Sequence, residues 1–345
     1  MELAFVIEKF VLITVIFLVS LGVAAYSTLA ERKIAGYLQD RVGPSRAGPG
    51  GMFQPLADGL KMFFKEEIIP TDSNRFLFIA GPSLALLTAC IGSAVIPWAP
   101  DMIIGDRVIP LQVADINVGV LYIFGIVSLG VYGLMIGGWA SNNKFSLMGA
   151  VRAASQSISY EIPMGLSLIA LLLVTNTLSL REIVGQQHGG NWNIIYQPLG
   201  FIIFLVCSFA ETNRTPFDLP ECETELVGGY HTEYSGFKMG AFMFAEYLNM
   251  FVASAVMSTL YFGGYNYPGM DWVGNLVGPV IGPLIAMAVL FAKIFAFIFF
   301  FMWVRWTVPR FRYDQLMNLG WKVLIPLAIA NIVITGIVIT IYDKL

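Results

Sequence analysis

The sequence predicts an all-α polytopic bundle of about eight membrane-spanning helices, and three observations carry that prediction. The chain of 345 residues is 57% hydrophobic and only 12% charged, with a mean hydropathy of +0.73, so most of its surface faces lipid. Its apolar residues fall in continuous runs close to the about 20 residues that a helix needs to cross a bilayer. Barrel strands leave short alternating apolar and polar segments instead.

The first run, Phe10 to Leu29, follows Glu8 and Lys9 and reaches the charged Glu31, Arg32 and Lys33 with no small-residue cleavage site between. It is expected to be retained as a span. The long loop after it opens with GPSRAGPGG, Gly43 to Gly51, which bends the chain and cannot be helical. Residues 52–67 follow as an amphipathic helix: Phe53, Leu56, Leu60, Phe63 and Phe64 recur at helical spacing, and Asp58, Lys61 and Lys65 take the other side. This helix is too short and too charged to span, so it belongs at the membrane interface or under a partner; a plain surface anchor is the simpler reading.

The second and third runs are Phe76 to Trp98 and Val118 to Trp139. The fourth, Ser157 to Val174, carries Glu161 near its start, and the fifth, Leu199 to Ala210 with its flanks, is the shortest. Residues 211–238 then form an acidic loop in which Glu211, Asp218, Glu221, Glu223, Glu225 and Glu233 surround Arg214. Pro216 and Pro220 exclude a continuous helix there. The sixth run, Ala241 to Phe262, contains Glu246; the seventh, Val280 to Trp303, contains Lys293; the eighth is Val323 to Tyr342. No internal repeat is visible, and residues 1–345 read as one transmembrane domain.

Charge placement orients the bundle. Most of the 20 lysines and arginines lie in alternate loops, among them Arg32, Arg41, Arg46, Lys144, Arg152, Arg214, Arg305 and Arg310, whereas the other loops hold Arg107 and Arg181. Positive loops stay in the cytoplasm, so the acidic loop is expected there and both termini on the opposite face. A net charge of -3 without a dense basic patch excludes a nucleic-acid partner. Cys90, Cys207 and Cys222 have no metal-ligand spacing, so no metal or iron-sulfur site is expected.

Ionisable groups at membrane depth are costly and are usually kept for ion paths or binding. Glu161 and Glu246 are therefore candidate proton carriers, against the alternative that each only hydrogen-bonds a neighbouring helix through Ser157, Ser159, Tyr160 or Tyr247. Lys293 could pair with one of these acids or snorkel to an interface. The acidic loop could equally be a solvated face that docks a basic partner.

Three segments, AERKIAGYLQDRVGPSRAGPGGMFQPLADGLKMFFKEE, SQSISYEIP and ETNRTPFDLPECETELVGGYHTEY, closely resemble in order and spacing the hallmark segments of one family. That family comprises the H subunits of bacterial NADH:quinone oxidoreductase and their mitochondrial counterpart in respiratory complex I. The resemblance implies a proton-pumping enzyme of the respiratory electron-transport chain in the bacterial inner membrane. It further implies a membrane component that contains no redox centre and walls a quinone chamber with peripheral-arm partners, one of which bears the terminal iron-sulfur cluster. NADH, flavin and iron-sulfur clusters then sit on partners, ubiquinone or menaquinone is the substrate, and small and antiporter-like membrane-arm subunits complete the pump. No catalytic residue or metal ligand is expected on this chain.

By the same resemblance Glu31, Arg32, Asp58 and Arg214 line the quinone chamber, with Phe53, Leu56, Phe63 and Phe64 as an apolar portal. Glu161, Glu211, Asp218, Glu221, Glu223, Glu225, Glu233 and Glu246 form the proton relay. Some members carry a further acid in the third span; here Ser128 and the run Tyr122 to Tyr132 contain none, so water or hydroxyls must fill a gap. The equivalent membrane component of a related membrane-bound hydrogenase or formate hydrogenlyase, or a free-standing proton-coupled transporter, are the alternatives. GPGG at Gly48 to Gly51 lacks the strand and helix context of a nucleotide site.

Overall fold

The computed structural model describes residues 2–105 and 107–342, with side chains described for these except at 2–5, 223, 275 and 342. Helix α1 (Glu2–Leu38) is one long helix that continues past its apolar stretch to carry Glu31. Helix α2 (Gln54–Phe64) is the amphipathic element, shorter at both ends than the sequence pattern because Phe53 and Lys65 leave helical geometry. Helix α3 (Arg75–Ile91) starts at Asn74, whose side chain accepts from the backbone N–H of Phe76 and Leu77, satisfying two orphan donors. A small antiparallel hairpin follows, β1 (Met102–Ile104) on β2 (Arg107–Ile109), which hydropathy did not foretell.

Helices α4 (Gly119–Ala140) and α5 (Lys144–Thr175) come next. The latter begins at Lys144 under an Asn143 cap, well before Ser157. The face of its first turns that packs on protein is small and polar, formed by Ser146, Gly149, Ala150, Ala153 and Gln156, and a hydropathy window does not detect such a face. Glu161 consequently lies in mid-helix. Short helices α6 (Leu180–Gln186) and α7 (Asn193–Tyr196) lead into α8 (Pro198–Glu211). The segments His188–Tyr196 and Pro198–Glu211 meet at 75°. Pro198 enforces the break, since the residue before proline avoids helical geometry while proline itself suits a first turn.

The one-turn α9 (Glu223–Leu226) sits within the acidic loop, and α10 (Gly236–Tyr261) is the most buried helix of the bundle. Helices α11 (Met270–Val277), α12 (Ile281–Thr307), α13 (Tyr313–Asn318) and α14 (Ile325–Tyr342) complete the chain, the last two joined through a π-helical turn, Leu319–Leu324. Among the described residues seven helices are long and apolar enough to cross a membrane, or eight with the bent pair.

With no hydrophobic drive between helices in lipid, close packing must hold them. At the α3–α4 crossing a Cβ on Gly81 would lie 2.7 Å from the Gly137 backbone, and one on Gly133 would lie 2.8 Å from the Ala85 nitrogen. Only glycine permits this contact. At the far end of α10, Gln187 donates to Thr259 O and Asn193 to Leu260 O, at 2.9 and 2.8 Å. Lys293 joins neither glutamate: its ammonium donates to the carbonyls of Phe262, Gly264 and Asn266, each at 2.7 Å. A cation at a helix C-terminus meets both the orphan carbonyls and the helix dipole.

Candidate functional site

The acidic loop is built into the protein. Glu211 is the last residue of α8 and Gly236 already starts α10, so the connecting segment runs from Thr212 to Ser235. Arg214, Thr215, Phe217, Asp218 and Leu219 are buried in it. Gln156 of α5 pins its start, donating to Ala210 O at 2.7 Å and Phe217 O at 2.8 Å. A Cβ on Gly149 would fall 2.6 Å from Tyr230 N and 2.8 Å from Pro220 O, so the loop lies directly on the α5 backbone. Tyr234 closes the other end, stacking on Phe78 at 4.1 Å and donating to Phe78 O.

Beneath the loop a buried ion-pair cluster is centred on Glu31, which is 5% exposed. One carboxylate oxygen lies 3.1 Å from Arg214 Nη1 and accepts from the Tyr247 hydroxyl at 2.8 Å; the other lies 2.5 Å from Arg305 Nη1. The Arg214 guanidinium also covers the Tyr247 ring at 4.3 Å. Burial opposes the charge of Arg214, but the Glu31 carboxylate, with Tyr247 and Glu246, more than offsets it and raises its proton affinity. Arg214 is a permanent cation. Its Nε and Nη2 have no hydrogen-bond partner among the described residues, so donors of a buried cation are left for an acceptor.

Asp218 pairs with Arg310 at 2.7 Å, while its other oxygen has no hydrogen-bond partner among the described residues. Burial raises its pKa, and the charges of Arg310, Arg305 and Arg214 only partly offset that rise. Tyr230 donates to Glu246 at 3.0 Å. Burial first, then the charges of Glu246 and Glu221, push this phenol well above its ordinary range, so it stays a donor.

From Glu246 the acids lead inward past two small cavities. A cavity of about 30 Å³ touches Glu246 and Glu211. A second, about 40 Å³, lies on the far side of Glu211 and is walled by Phe124 and Met164. Met164 follows Glu161 by three residues, and Ser128 donates to Phe124 O at 2.9 Å. The same hydroxyl lies within interaction range of the Glu161 carboxyl. A hydroxyl both donates and accepts, so by turning from Phe124 O it can serve either protonation state of that carboxyl.

The remaining sequence candidates are placed differently. Glu221 lies 3.8 Å from His231 at the outer side of the loop, Glu225 pairs with Arg152 at 2.6 Å, and Glu233 accepts from Asn143 at 2.6 Å. Glu225 and Glu233 thus tie the loop to α5 and its cap. The side chain of Glu223 lies outside the described residues. Arg32 does not join the Glu31 cluster; it pairs at 2.8 Å with Asp58, which also accepts from Gln54 at 2.9 Å. That pair is partly exposed to solvent, which screens it, and it contributes about 1 kcal/mol. Phe53, Leu56, Phe63 and Phe64 stand exposed on α2, although Phe63 stacks on Phe237 at 4.8 Å.

Sequence reasoning missed Arg305, Tyr247 as partner of Glu31, Tyr230 and Gln156. Arg305 ends an apolar run and reads as an interface charge; the only hint was its place in the last turn of α12.

A bundle of membrane-spanning helices with a buried ion-pair cluster at one face and further carboxyls behind it is the architecture of an integral membrane protein. The NADH dehydrogenase family profile matches residues 10–336. The chain is 65% identical to the H subunit of the NADH-quinone oxidoreductase of Flavobacterium johnsoniae, covering 99% of this chain and 98% of that one. It is 64% identical to an H subunit of Cytophaga hutchinsonii, covering 98% of each chain, and 46% identical to one from Geobacter metallireducens, covering 99% and 98%. The chain belongs to the family of NADH-quinone oxidoreductase H subunits. It is thus a multi-pass membrane component of an oxidoreductase complex.

Proposed function

We propose that this chain forms the membrane wall of a quinone-binding chamber and couples quinone reduction to proton translocation through its buried carboxyls. The observation that carries the reading is Glu31, held under the acidic loop by Arg214, Arg305 and Tyr247, with two Arg214 nitrogens left without a hydrogen-bond partner among the described residues. A quinone carbonyl is an acceptor of the kind those donors suit, and the exposed phenyl rings of α2 offer apolar contact to an isoprenoid tail. Reduction consumes two electrons and two protons per quinone. The electrons come from the iron-sulfur cluster of a peripheral-arm partner.

Protons drawn from the loop carboxyls change the charge beneath the loop, and a charge change biases any element with two arrangements. The path inward runs from Tyr230 and Glu246 through Glu211 to Ser128 and Glu161, toward antiporter-like partners. In this reading α2 lies at the membrane interface, the acidic face is cytoplasmic and both termini are periplasmic, in a bacterial inner membrane.

A quinone carrying a photoreactive group is expected to label residues between Glu31 and Phe64 and between Thr212 and Asp218 in the assembled complex. Labelling confined to other subunits, at substrate concentrations that support turnover, would sink the chamber assignment. Alkaline phosphatase fused after Leu345 is expected to be active and a cytoplasm-dependent reporter silent; the opposite pattern puts the acidic face on the wrong side.

A further inference from the structure

Helix α10 carries Glu246 and, one turn further, Asn249, so both side chains share a face. The next residues on that face are Val252, Ala253 and Val256, which wall the second cavity. Asn249 is the last polar group of this face, and a proton moving along α10 has no further carrier there.

Asn249 has a second property that no other α10 residue shares: it lines both cavities, as do Glu211 and Thr212 from the end of α8. Among the described residues its amide has no hydrogen-bond partner. One carboxyl oxygen of Glu211 is likewise buried without a partner. Thr212 spends its hydrogen on backbone carbonyls one turn back, at 2.9 Å to Ser208 O, and keeps its lone pairs. Polar groups that face a cavity, here the half-buried Asn249 amide and the buried Glu211 oxygen, are satisfied by ordered water when space allows, and a water needs about 10–15 Å³ of such space and two to four polar partners. Cavities of about 30 and 40 Å³ meet that requirement on both sides of Glu211.

We propose that Asn249 is the junction of a hydrated path: its amide holds waters in both cavities and turns the path off α10, across Glu211, toward Ser128 and Glu161. The inference rests on the relay reading above and names a positioning residue for it. An amide suits the role because it donates and accepts but does not titrate, so it orients water without trapping a proton.

The test uses the assembled complex with Asn249→Leu, which keeps the volume and removes the polar atoms, and Asn249→Ser, which restores a hydroxyl and leaves room for water. Asn249→Leu is expected to slow quinone-linked NADH oxidation by at least about tenfold, a modest part of what a positioned proton transfer contributes. Electron transfer to an artificial acceptor should hold, and Asn249→Ser should recover most of the loss. A high-resolution map should show waters on the Asn249 amide in both cavities and none in the leucine variant.

Dry cavities in the unmodified complex overturn the junction whatever the relay does, as do Ser and Leu variants that are equally impaired. Unchanged turnover in Asn249→Leu together with slowed turnover in Glu246→Gln removes the junction alone. Unchanged turnover in both removes the relay reading beneath it. If the leucine variant fails to assemble, the serine variant and the water map decide.

Discussion

Arg214→Ala is expected to lower quinone-linked NADH oxidation about a hundredfold while leaving electron transfer to an artificial acceptor near its original rate. Hydrogen bonds to charged groups contribute up to about 3 kcal/mol, and each 1.36 kcal/mol is about a factor of ten in rate. Arg214 has two buried donors without a partner among the described residues, and in the proposed chamber they act on quinone. Its removal leaves Glu31 with Arg305 and Tyr247. The carboxylate keeps one cation, so the full penalty of about 3–5 kcal/mol for an abandoned buried charge is avoided. Arg214→Lys separates charge from geometry, since an ammonium cannot reproduce the planar fork and should recover only part of the loss. Equal losses of both activities in an assembled complex would place Arg214 in the scaffold.

Glu246→Gln and Glu161→Gln are expected to depress quinone reduction and proton pumping together. Gln keeps the shape and can still accept from Tyr230 or meet Ser128, but it carries no titratable proton. Loss of a positioned proton carrier costs about 10²–10⁴ in the step it serves. In a coupled machine the stalled proton step stalls the redox step as well. The packing alternative makes a separate prediction: a carboxyl that only hydrogen-bonds its neighbour tolerates Gln, so unchanged turnover and unchanged proton-to-electron ratio in both variants would return these residues to the helix contacts. Pumping lost with turnover kept would indicate slip.

Much of this organisation was legible in the chain. The apolar runs determined the membrane-spanning helices, because a bilayer imposes length and hydropathy on any helix that crosses it. Spacing of Phe53, Leu56, Leu60, Phe63 and Phe64 determined α2, because residues three and four apart share a helix face. The prolines of the acidic loop excluded a long helix there, and the described residues of the loop form only the short turns Glu223–Leu226 and Gly229–His231. The fourth span was legible only in its apolar part, since the turns before Ser157 are held by contacts of Gly149 and Gln156 with the acidic loop and the end of α8.

Tertiary structure alone decided which charges meet. Glu31 and Arg214 are 183 residues apart and Glu31 and Tyr247 are 216 apart, yet they form one cluster. Arg32 adjoins Glu31 in sequence but points to Asp58 instead. Lys293, a natural partner for a buried acid by charge, lies at the opposite end of α10 and binds carbonyls. The physical reason is that hydropathy acts on each segment separately, whereas ion pairing depends on helix rotation and depth, and those are set by packing between helices.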